Sequence, residues 1–373
     1  MTRPSARLVL APLGPWFERH RRCLPWRAAD LEALHPDPYA VLVSEVMLQQ
    51  TQVATVVPFF AAWMARFPNL ERLAAAPEEA VLHAWQGLGY YRRARNLHAA
   101  ARKIADEGWP RDRKGLQGLP GLGPYTAAAV AALAFQQPEP ALDGNLFRVL
   151  ARLLALEGDP RLQAPDLEAW LRPALAAHGP SRTLQGLMEL GSSLCAPSRP
   201  RCESCPLVPS CEGLRQGRAE TLPPPRPRPA VREEDLWLVA LHCGDRWLLR
   251  TPEGRGLLAG LWRWPTVQGG VPDEAAALPP GFQASTGATW TQAYTHRREH
   301  ITPIRLTTTT APFPVAEGWE WVTAERLATL PLGRRDQRLR NLLEDSPGLM
   351  QTEALPLAGL WQELRAAAIR SDR

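Results

Sequence analysis

Glu45 is the single charge in YAVLVSEVMLQQT (Tyr39 to Thr51), a run whose other residues are apolar or uncharged and recur at helical spacing. A carboxylate held among such neighbours is desolvated, so its pKa rises and it reaches neutral pH still carrying a proton. That is what a general acid requires. The alternative is a glutamate that points out of its helix into water. Asp143 lies 98 positions further on, after the proline-rich loop PEPALDGN (Pro138 to Asn145) and just before a helical segment. Asp before a helix is commonly an N-cap, which is the stronger reading, with a second catalytic carboxylate as the alternative. Nothing in the spacing alone brings the two together.

Four of the six cysteines fall within seventeen residues, as Cys195-x6-Cys202-x2-Cys205-x5-Cys211. A disulfide knot is disfavoured in a chain otherwise poor in cysteine. Zinc sites usually show two tight pairs, whereas one C-x2-C flanked by wider, unequal gaps suits a [4Fe–4S] cluster, and spacing leaves both metals open. Cys23 and Cys243 stand alone and read as buried thiols. LQGLPGLGPYTAAAVAALAF (Leu116 to Phe135) places Gly121 and Gly123 in a turn before an alanine-rich helix opened by Pro124. Glycine at both positions permits φ > 0 and close approach of another backbone, and the free N–H groups of the helix start suit an anion. This is the pattern of a helix-hairpin-helix grip on a DNA backbone, with an ordinary helix corner as the alternative. GLGYYRR (Gly87 to Arg93) joins a flexible turn to two aromatics and two arginines. It suits either a wedge that replaces an extruded base or a buried helix start with a basic face.

The elements that must position these residues divide into two textures. From Pro38 to about Leu194 the chain is rich in Ala and Leu at helical spacing. TLPPPRPRPAVR (Thr221 to Arg232) has five prolines in twelve residues and reads as a semi-extended linker that makes the halves separable. Beyond it, Leu236–Leu241, Arg246–Arg250, Ile301–Thr310 and Trp319–Val322 read as strands, with helical signal after Ala324. There is no internal repeat. At 373 residues, two or three domains are expected. The net charge of +5 and pI near 9.1 mildly favour a polyanionic partner. Nearly every cation is arginine, because Lys103 and Lys114 are the only two lysines. No stretch is apolar for long enough to span a bilayer, and the start lacks a signal-peptide cleavage pattern. A cytoplasmic, nucleoid-associated protein with no membrane partner is expected.

The segments SEVMLQQTQV (Ser44 to Val53), GLGYYRRARNL (Gly87 to Leu97), LPGLGPYTAAAV (Leu119 to Val130), LDGN (Leu142 to Asn145) and the four-cysteine spacing occur in the order found in the MutY family of adenine DNA glycosylases. From about Pro25 to Cys211 the chain resembles that family closely. The resemblance implies an iron–sulfur rather than a zinc site. It implies that Glu45 protonates adenine at N7 and later activates water, that Asp143 stabilises an oxocarbenium sugar, that Asn145 orients Asp143, and that Tyr125 lies beside both. It assigns the adenine pocket to Trp26, Arg27 and Gln185. It assigns the DNA contacts to Gln49, Thr51, Gln52, Leu88, Tyr90, Gly121 and Gly123, and the cluster to Cys195, Cys202, Cys205 and Cys211.

After the linker the match is looser. GLLAGLWRWP (Gly256 to Pro265) resembles the opening of the family's Nudix-like domain, and Tyr294-Thr295-His296 stands where the family has a Phe-Ser-His motif that reads 8-oxoguanine. The carboxylate constellation of an active Nudix hydrolase is missing, so this domain is expected to bind without catalysing. The expected fold is multidomain: an all-α helix-hairpin-helix glycosylase domain (1–194), a [4Fe–4S] cluster module (195–220), the linker (221–232), a C-terminal α+β Nudix-like domain (233–345) and a tail (346–373). The expected protein is a monomer on double-stranded DNA carrying adenine opposite 8-oxoguanine or guanine. Three rival readings are an endonuclease III-like glycosylase with strand cleavage, a nucleotide-pyrophosphate hydrolase, and a cluster-bearing DNA binder without catalysis. The missing Nudix carboxylates weigh against the hydrolase, and Glu45 in its apolar setting weighs against the inert binder.

Overall fold

The computed structural model describes residues 3–27, 37–226, 230–254, 258–269, 276–277, 281–294, 296–308, 315, 317–344, 350–352 and 354–355. The chain forms two compact units, Met1–Ala76 with Arg95–Arg226, and Pro77–Ala94 with Pro227–Arg373. The passage between them at Arg226 lies inside the proline-rich stretch. The inclusion of Pro77–Ala94 in the second unit does not follow from that stretch. The two halves are therefore not separable by one cut in the linker.

The first unit is helical: α1 (Ala6–Val9), α2 (Leu13–His20), α3 (Pro38–Leu48), α4 (Val53–Arg66) and α5 (Leu70–Ala74) precede the inserted segment, which carries α6 (Glu78–Ala84). The chain returns through α7 (Arg92–Glu107), α8 (Arg113–Gln117), α9 (Pro124–Phe135), α10 (Gly144–Leu153), α11 (Ala164–His178), α12 (Pro180–Ser193) and α13 (Glu212–Arg215). Pro38 at the start of α3 needs no N–H partner, and the Asp37 side chain accepts from the Tyr39 N–H. Helix α9 has no polar face at all, and Thr126 to Ala134 are buried without a break. Its short alanine side chains let α3, α8 and α12 approach closely, so it is the axis of the unit.

The second unit is built on a sheet of order β8-β2-β1-β7-β5-β9, with β3 also pairing β1 and β6 also pairing β7. The strands are β1 (Arg232–Cys243), β2 (Arg246–Arg250), β3 (Thr266–Gln268), β4 (Ala276–Ala277), β5 (Phe282–Thr286), β6 (Trp290–Ala293), β7 (Arg297–Thr308), β8 (Trp319–Thr323), β9 (Met350–Thr352) and β10 (Ala354–Leu355). β1 and β7 run parallel in register from Arg232↔Arg297 to Cys243↔Thr308, and the other pairings are antiparallel. The pleat separates two cores. Leu236, Leu238, Ala240 and Ile301 pack with Trp264 and with Leu327 and Leu339 of helices α14 (Ala324–Thr329) and α15 (Arg334–Glu344). Val239, Leu241, Ile304 and Leu306 fill the opposite face. Buried Asp336 accepts from the Trp264 backbone N–H at 3.0 Å, and its own carbonyl accepts from the Trp264 indole at 2.9 Å. Arg335 bridges it to buried Glu299. This closes α15 onto the sheet through buried ion pairs and hydrogen bonds.

The strands expected from sequence appear, the first extended to Arg232–Cys243 and the third starting earlier, at Arg297, and described to Thr308, while Thr309 and Thr310 lie outside the described residues. The short β3, β5 and β6 carry no alternation long enough to read. Cys243 is buried as expected, but Cys23 is exposed, because it lies in an extended stretch after α2 rather than in a core.

Helix α13 sits so tightly on α10 that a Cβ at Gly213 would overlap the Arg152 carbonyl oxygen, a backbone atom that cannot step aside. Gly213→Ala should therefore cost about 1–3 kcal/mol, read as a lower urea midpoint with loss of order at the cysteine loop first.

Candidate active site

A cleft of about 1490 Å³ opens in the helical unit, and α3, α12, the α8–α9 turn and the start of α10 line it. Glu45 faces it yet is only 6 % exposed. The solvent-facing alternative is thus excluded. Burial pushes Glu45 up to about 7; the nearby Asp143 charge adds to the shift, while a hydrogen bond from Tyr125 and the charge of Arg27 oppose it. Burial, then Glu45 and Asp143, raise the Tyr125 phenol well above its ordinary value, so it remains a donor.

Asp143 is the N-cap of α10 and also lines the cleft. Its Oδ1 accepts from the Leu146 N–H at 2.7 Å as the N-cap of α10, and its Oδ2 accepts from Asn145 Nδ2 at 2.9 Å. Burial raises it, and the hydrogen bonds from Leu146 and Asn145 and the charge of Arg148 hold it back. The N-cap requirement therefore fixes the carboxylate's direction, and Asn145 holds the oxygen that the cap leaves over. The two carboxylates, Tyr125 and Asn145 all line the one cleft.

Trp26, Arg27 and Gln185 line the same cleft. Trp26 packs edge-on against Phe60 at 5.4 Å. Arg27 pairs with Glu189 at 2.8 Å, and burial is the main cause lowering its guanidinium. Gln185 donates to Ser181 Oγ at 3.0 Å. Gln49, Thr51 and Gln52 form one edge, where Gln49 donates to Thr126 Oγ1 at 3.0 Å. Gly121 and Gly123 border it too, but only Gly121 needs its glycine conformation, with φ 75° and no room for a Cβ beside Asn96. Gly123 has φ −71° and open space where a Cβ would be, so it leaves clearance rather than making a turn. Leu88 and Tyr90 belong to the other unit, where Leu88 is buried and the Tyr90 ring is 44 % exposed. In that unit Tyr294 is half-buried, with its phenol pushed far up by burial, and His296 is exposed. Thr295, Gly256 and Leu257 lie outside the described residues.

The four clustered cysteines are free and half-buried, and they border one small, largely apolar cavity with Leu194, Val208, Leu214 and Ala219. Among the described residues, no three His, Cys, Asp or Glu side chains are placed to hold a metal ion. The sequence reading missed the two arginines that frame this loop. Arg152, 2 % exposed, donates to Cys195 Sγ at 3.3 Å and to the carbonyls of Ala196, Pro197 and Leu222. Arg148 donates to the Cys195 and Gly191 carbonyls and to Asn145 Oδ1 at 2.9 Å. Continuous hydrogen bonds therefore join Asp143 to the cysteine loop. The available signal was the i, i+4 pair of arginines inside the apolar stripe of α10. Glu189, paired with both Arg22 and Arg27, had no such signal.

Comparison with known proteins agrees with this geometry. The profile of the HhH-GPD superfamily base excision DNA repair proteins matches residues 43–173. The adenine DNA glycosylase of Schizosaccharomyces pombe is 31% identical over 329 residues, covering 72% of this chain and 71% of that protein. The chain belongs to the adenine DNA glycosylase family. The human adenine DNA glycosylase is 36% identical over 305 residues, which cover 68% of this chain and 56% of that protein. For the Mus musculus adenine DNA glycosylase the values are 41% identity, 58% and 44%. The chain thus spans about half the length of these mammalian adenine DNA glycosylases.

Glu45 folds with its pKa raised from the ordinary 4.5 to about 7. The folded state therefore binds this proton more tightly than the unfolded chain does. Its contribution to stability is complete below 4.5 and is lost as the pH rises through about 7. Glu45→Gln removes that titration. Relative to wild type, the variant should gain stability between about pH 5 and about pH 8, by up to about 3 kcal/mol. Urea unfolding at both pH values measures this, and a difference independent of pH would mean that Glu45 is solvated.

Proposed function

We propose that this protein excises adenine mispaired with 8-oxoguanine or guanine in duplex DNA, hydrolysing the N-glycosidic bond and leaving an abasic site in an intact strand. The observation that carries this reading is a buried glutamate with a pKa near 7 set against a second, hydrogen-bonded carboxylate in one cleft, in a chain of the adenine DNA glycosylase family.

Adenine is a poor leaving group until its ring is protonated. Glu45, still protonated near neutrality, delivers a proton to N7 of the extruded base. As the bond to the sugar breaks, positive charge develops on the sugar, and Asp143, oriented by Asn145 and the α10 N-terminus, stabilises it. Glu45, now a carboxylate, takes a proton from the attacking water. Two carboxylates thus flank a bond that breaks through an oxocarbenium-like state, as in glycosidases. Tyr125 donates to Glu45 throughout. Trp26, Arg27 and Gln185 receive the base. Gln49, Thr51, Gln52 and the backbone at Gly121 and Gly123 grip the strand, and Leu88 and Tyr90 act at the opened pair. Tyr294, Thr295 and His296 of the Nudix-like domain read 8-oxoguanine.

Strand cleavage through a Schiff base requires an amine at the sugar. Tyr125 occupies the position where the endonuclease III pattern has lysine. Half-buried Lys103 donates to the Gly118 carbonyl at 3.2 Å, and neither it nor Lys114 borders the cleft. The absence of an amine from the cleft wall supports a monofunctional enzyme.

Cys195, Cys202, Cys205 and Cys211 would hold a [4Fe–4S] cluster. The four cysteines line one small cavity with largely apolar walls, and such a set of thiols suits an iron–sulfur cluster. Arg152 supplies a cation beside Cys195 that compensates thiolate charge. The cluster would cross-link the loop and take no part in bond cleavage.

Wild-type protein incubated with duplexes carrying adenine opposite each base should release adenine from the 8-oxoguanine and guanine pairs, with strand breaks only after alkali. Glu45→Gln should lower single-turnover excision by about 10²- to 10⁴-fold with mispair binding nearly unchanged. Near wild-type excision by the variant would remove Glu45 from the mechanism, and alkali-independent breaks lost in Lys103 or Lys114 variants would reveal a lyase.

Purified protein should be brown and contain iron and sulfide, and Cys202→Ala should lose iron and soluble yield together. Stoichiometric zinc without sulfide would overturn the cluster assignment.

A further inference from the structure

The Gly87–Tyr91 turn is fixed more firmly than an exposed loop requires. Three of its first four positions hold positive φ: Gly87 at 102°, Gly89 at 75° and Tyr90 at 51°. For a tyrosine this conformation is unfavourable and persists only where the surroundings impose it. The carbonyl of Gly89 accepts from Trp85 Nε1 at 3.0 Å and from Arg93 Nη2 at 3.1 Å, and the Leu88 carbonyl accepts from the same Arg93 nitrogen at 3.3 Å. The Arg93 guanidinium lies 5.4 Å from the centroids of both the Trp85 and Tyr90 rings. Beyond this local frame, Tyr91 ties the turn to distant sequence. The buried Tyr91 hydroxyl accepts from the Gly87 N–H at 3.4 Å and donates to the Leu332 carbonyl at 2.9 Å, 241 positions away. Gln337 Nε2 fixes the same carbonyl at 2.8 Å, and Glu79 pairs with Arg326 at 3.1 Å. The fold therefore places the turn within the C-terminal unit, and the ring it leaves exposed is that of Tyr90.

We propose that Tyr91 is a positioning residue: its hydroxyl ties the turn to the Leu332 carbonyl and so fixes the exposed Tyr90 ring for stacking on an unstacked base of duplex DNA. A flat ring held at one angle suits such stacking, and base–aromatic stacking tolerates any sequence. On this view the C-terminal unit serves DNA opening as well as lesion reading. The inference rests on the proposed action on DNA, but its test is read from binding and does not require excision.

The experiment is a double-mutant cycle with Tyr91→Phe, Tyr90→Ala and both together in the full chain. It measures the dissociation constant for an adenine:8-oxoguanine duplex and the emission of 2-aminopurine placed beside the mispair. Tyr91→Phe should weaken binding about fivefold and reduce the unstacking signal, and in the Tyr90→Ala background it should change neither. An equal loss in both backgrounds, or no loss beside an intact Tyr90, would overturn the proposal. Thermal unfolding of each variant accompanies the cycle. If Tyr91→Phe folds poorly, Arg93→Met, which frees the turn from its other side, should show the same dependence on Tyr90. Failure of the wild type to excise adenine would refute the proposed function without altering this outcome.

Discussion

Everything in the catalytic half turns on keeping water away from one carboxylate. Glu45 sits near 7 because it is buried between α3, apolar on the side it presents, and α9, apolar all round, so little solvent reaches the side chain. That environment is costly for a charge and inexpensive for a proton. The alanines of α9 accordingly have a chemical role although none carries a functional group, because their small size allows α3 to approach and close over the glutamate. Burial raises Asp143 as well, but a helix N-terminus and Asn145 meet it and oppose that rise. Two carboxylates in one cleft thus meet different surroundings, Glu45 a phenol and apolar helices, Asp143 a helix N-terminus and an amide.

Arginine supplies the internal wiring. In a chain with two lysines, the guanidinium forks of Arg148 and Arg152 span several carbonyls at once, which a single ammonium could not do. They connect the loop bearing four cysteines to the helix that orients Asp143. A disturbance of that loop is therefore felt at the carboxylate through Asn145, even though no cysteine borders the cleft.

Much of the site was readable because its chemistry breaks local rules. A lone glutamate in an apolar run, paired glycines before a proline and crowded cysteines each depart from what simple helices need. Where a residue obeys the rules its role is hidden. Glu189 looks like any helical glutamate until Arg22 and Arg27 are seen around it, and Gly123 looks like Gly121 although only the latter needs positive φ. Cys23 was misread because isolation in sequence says nothing about exposure. The grouping of Pro77–Ala94 with the second unit was beyond reach, since it depends on contacts such as Tyr91 to Leu332 that leave no periodicity. The family resemblance supplied the residue roles, which spacing alone left undecided.

That grouping bears on how the chain is made. The second unit is discontinuous: its first piece is Pro77–Ala94, and the remainder comes only after the entire helical unit. Trp85, Leu88 and Tyr91 are buried in the finished molecule, yet on the ribosome they emerge long before the sheet of their unit exists. That sheet is also slow to assemble, because its central parallel pair joins Arg232–Cys243 to Arg297–Thr308 and cannot close as a hairpin. For the time taken to synthesise more than a hundred residues, the segment carrying Trp85, Leu88 and Tyr91 waits without the rest of its unit. Aggregation during synthesis, more than instability of the completed fold, is the hazard this architecture carries.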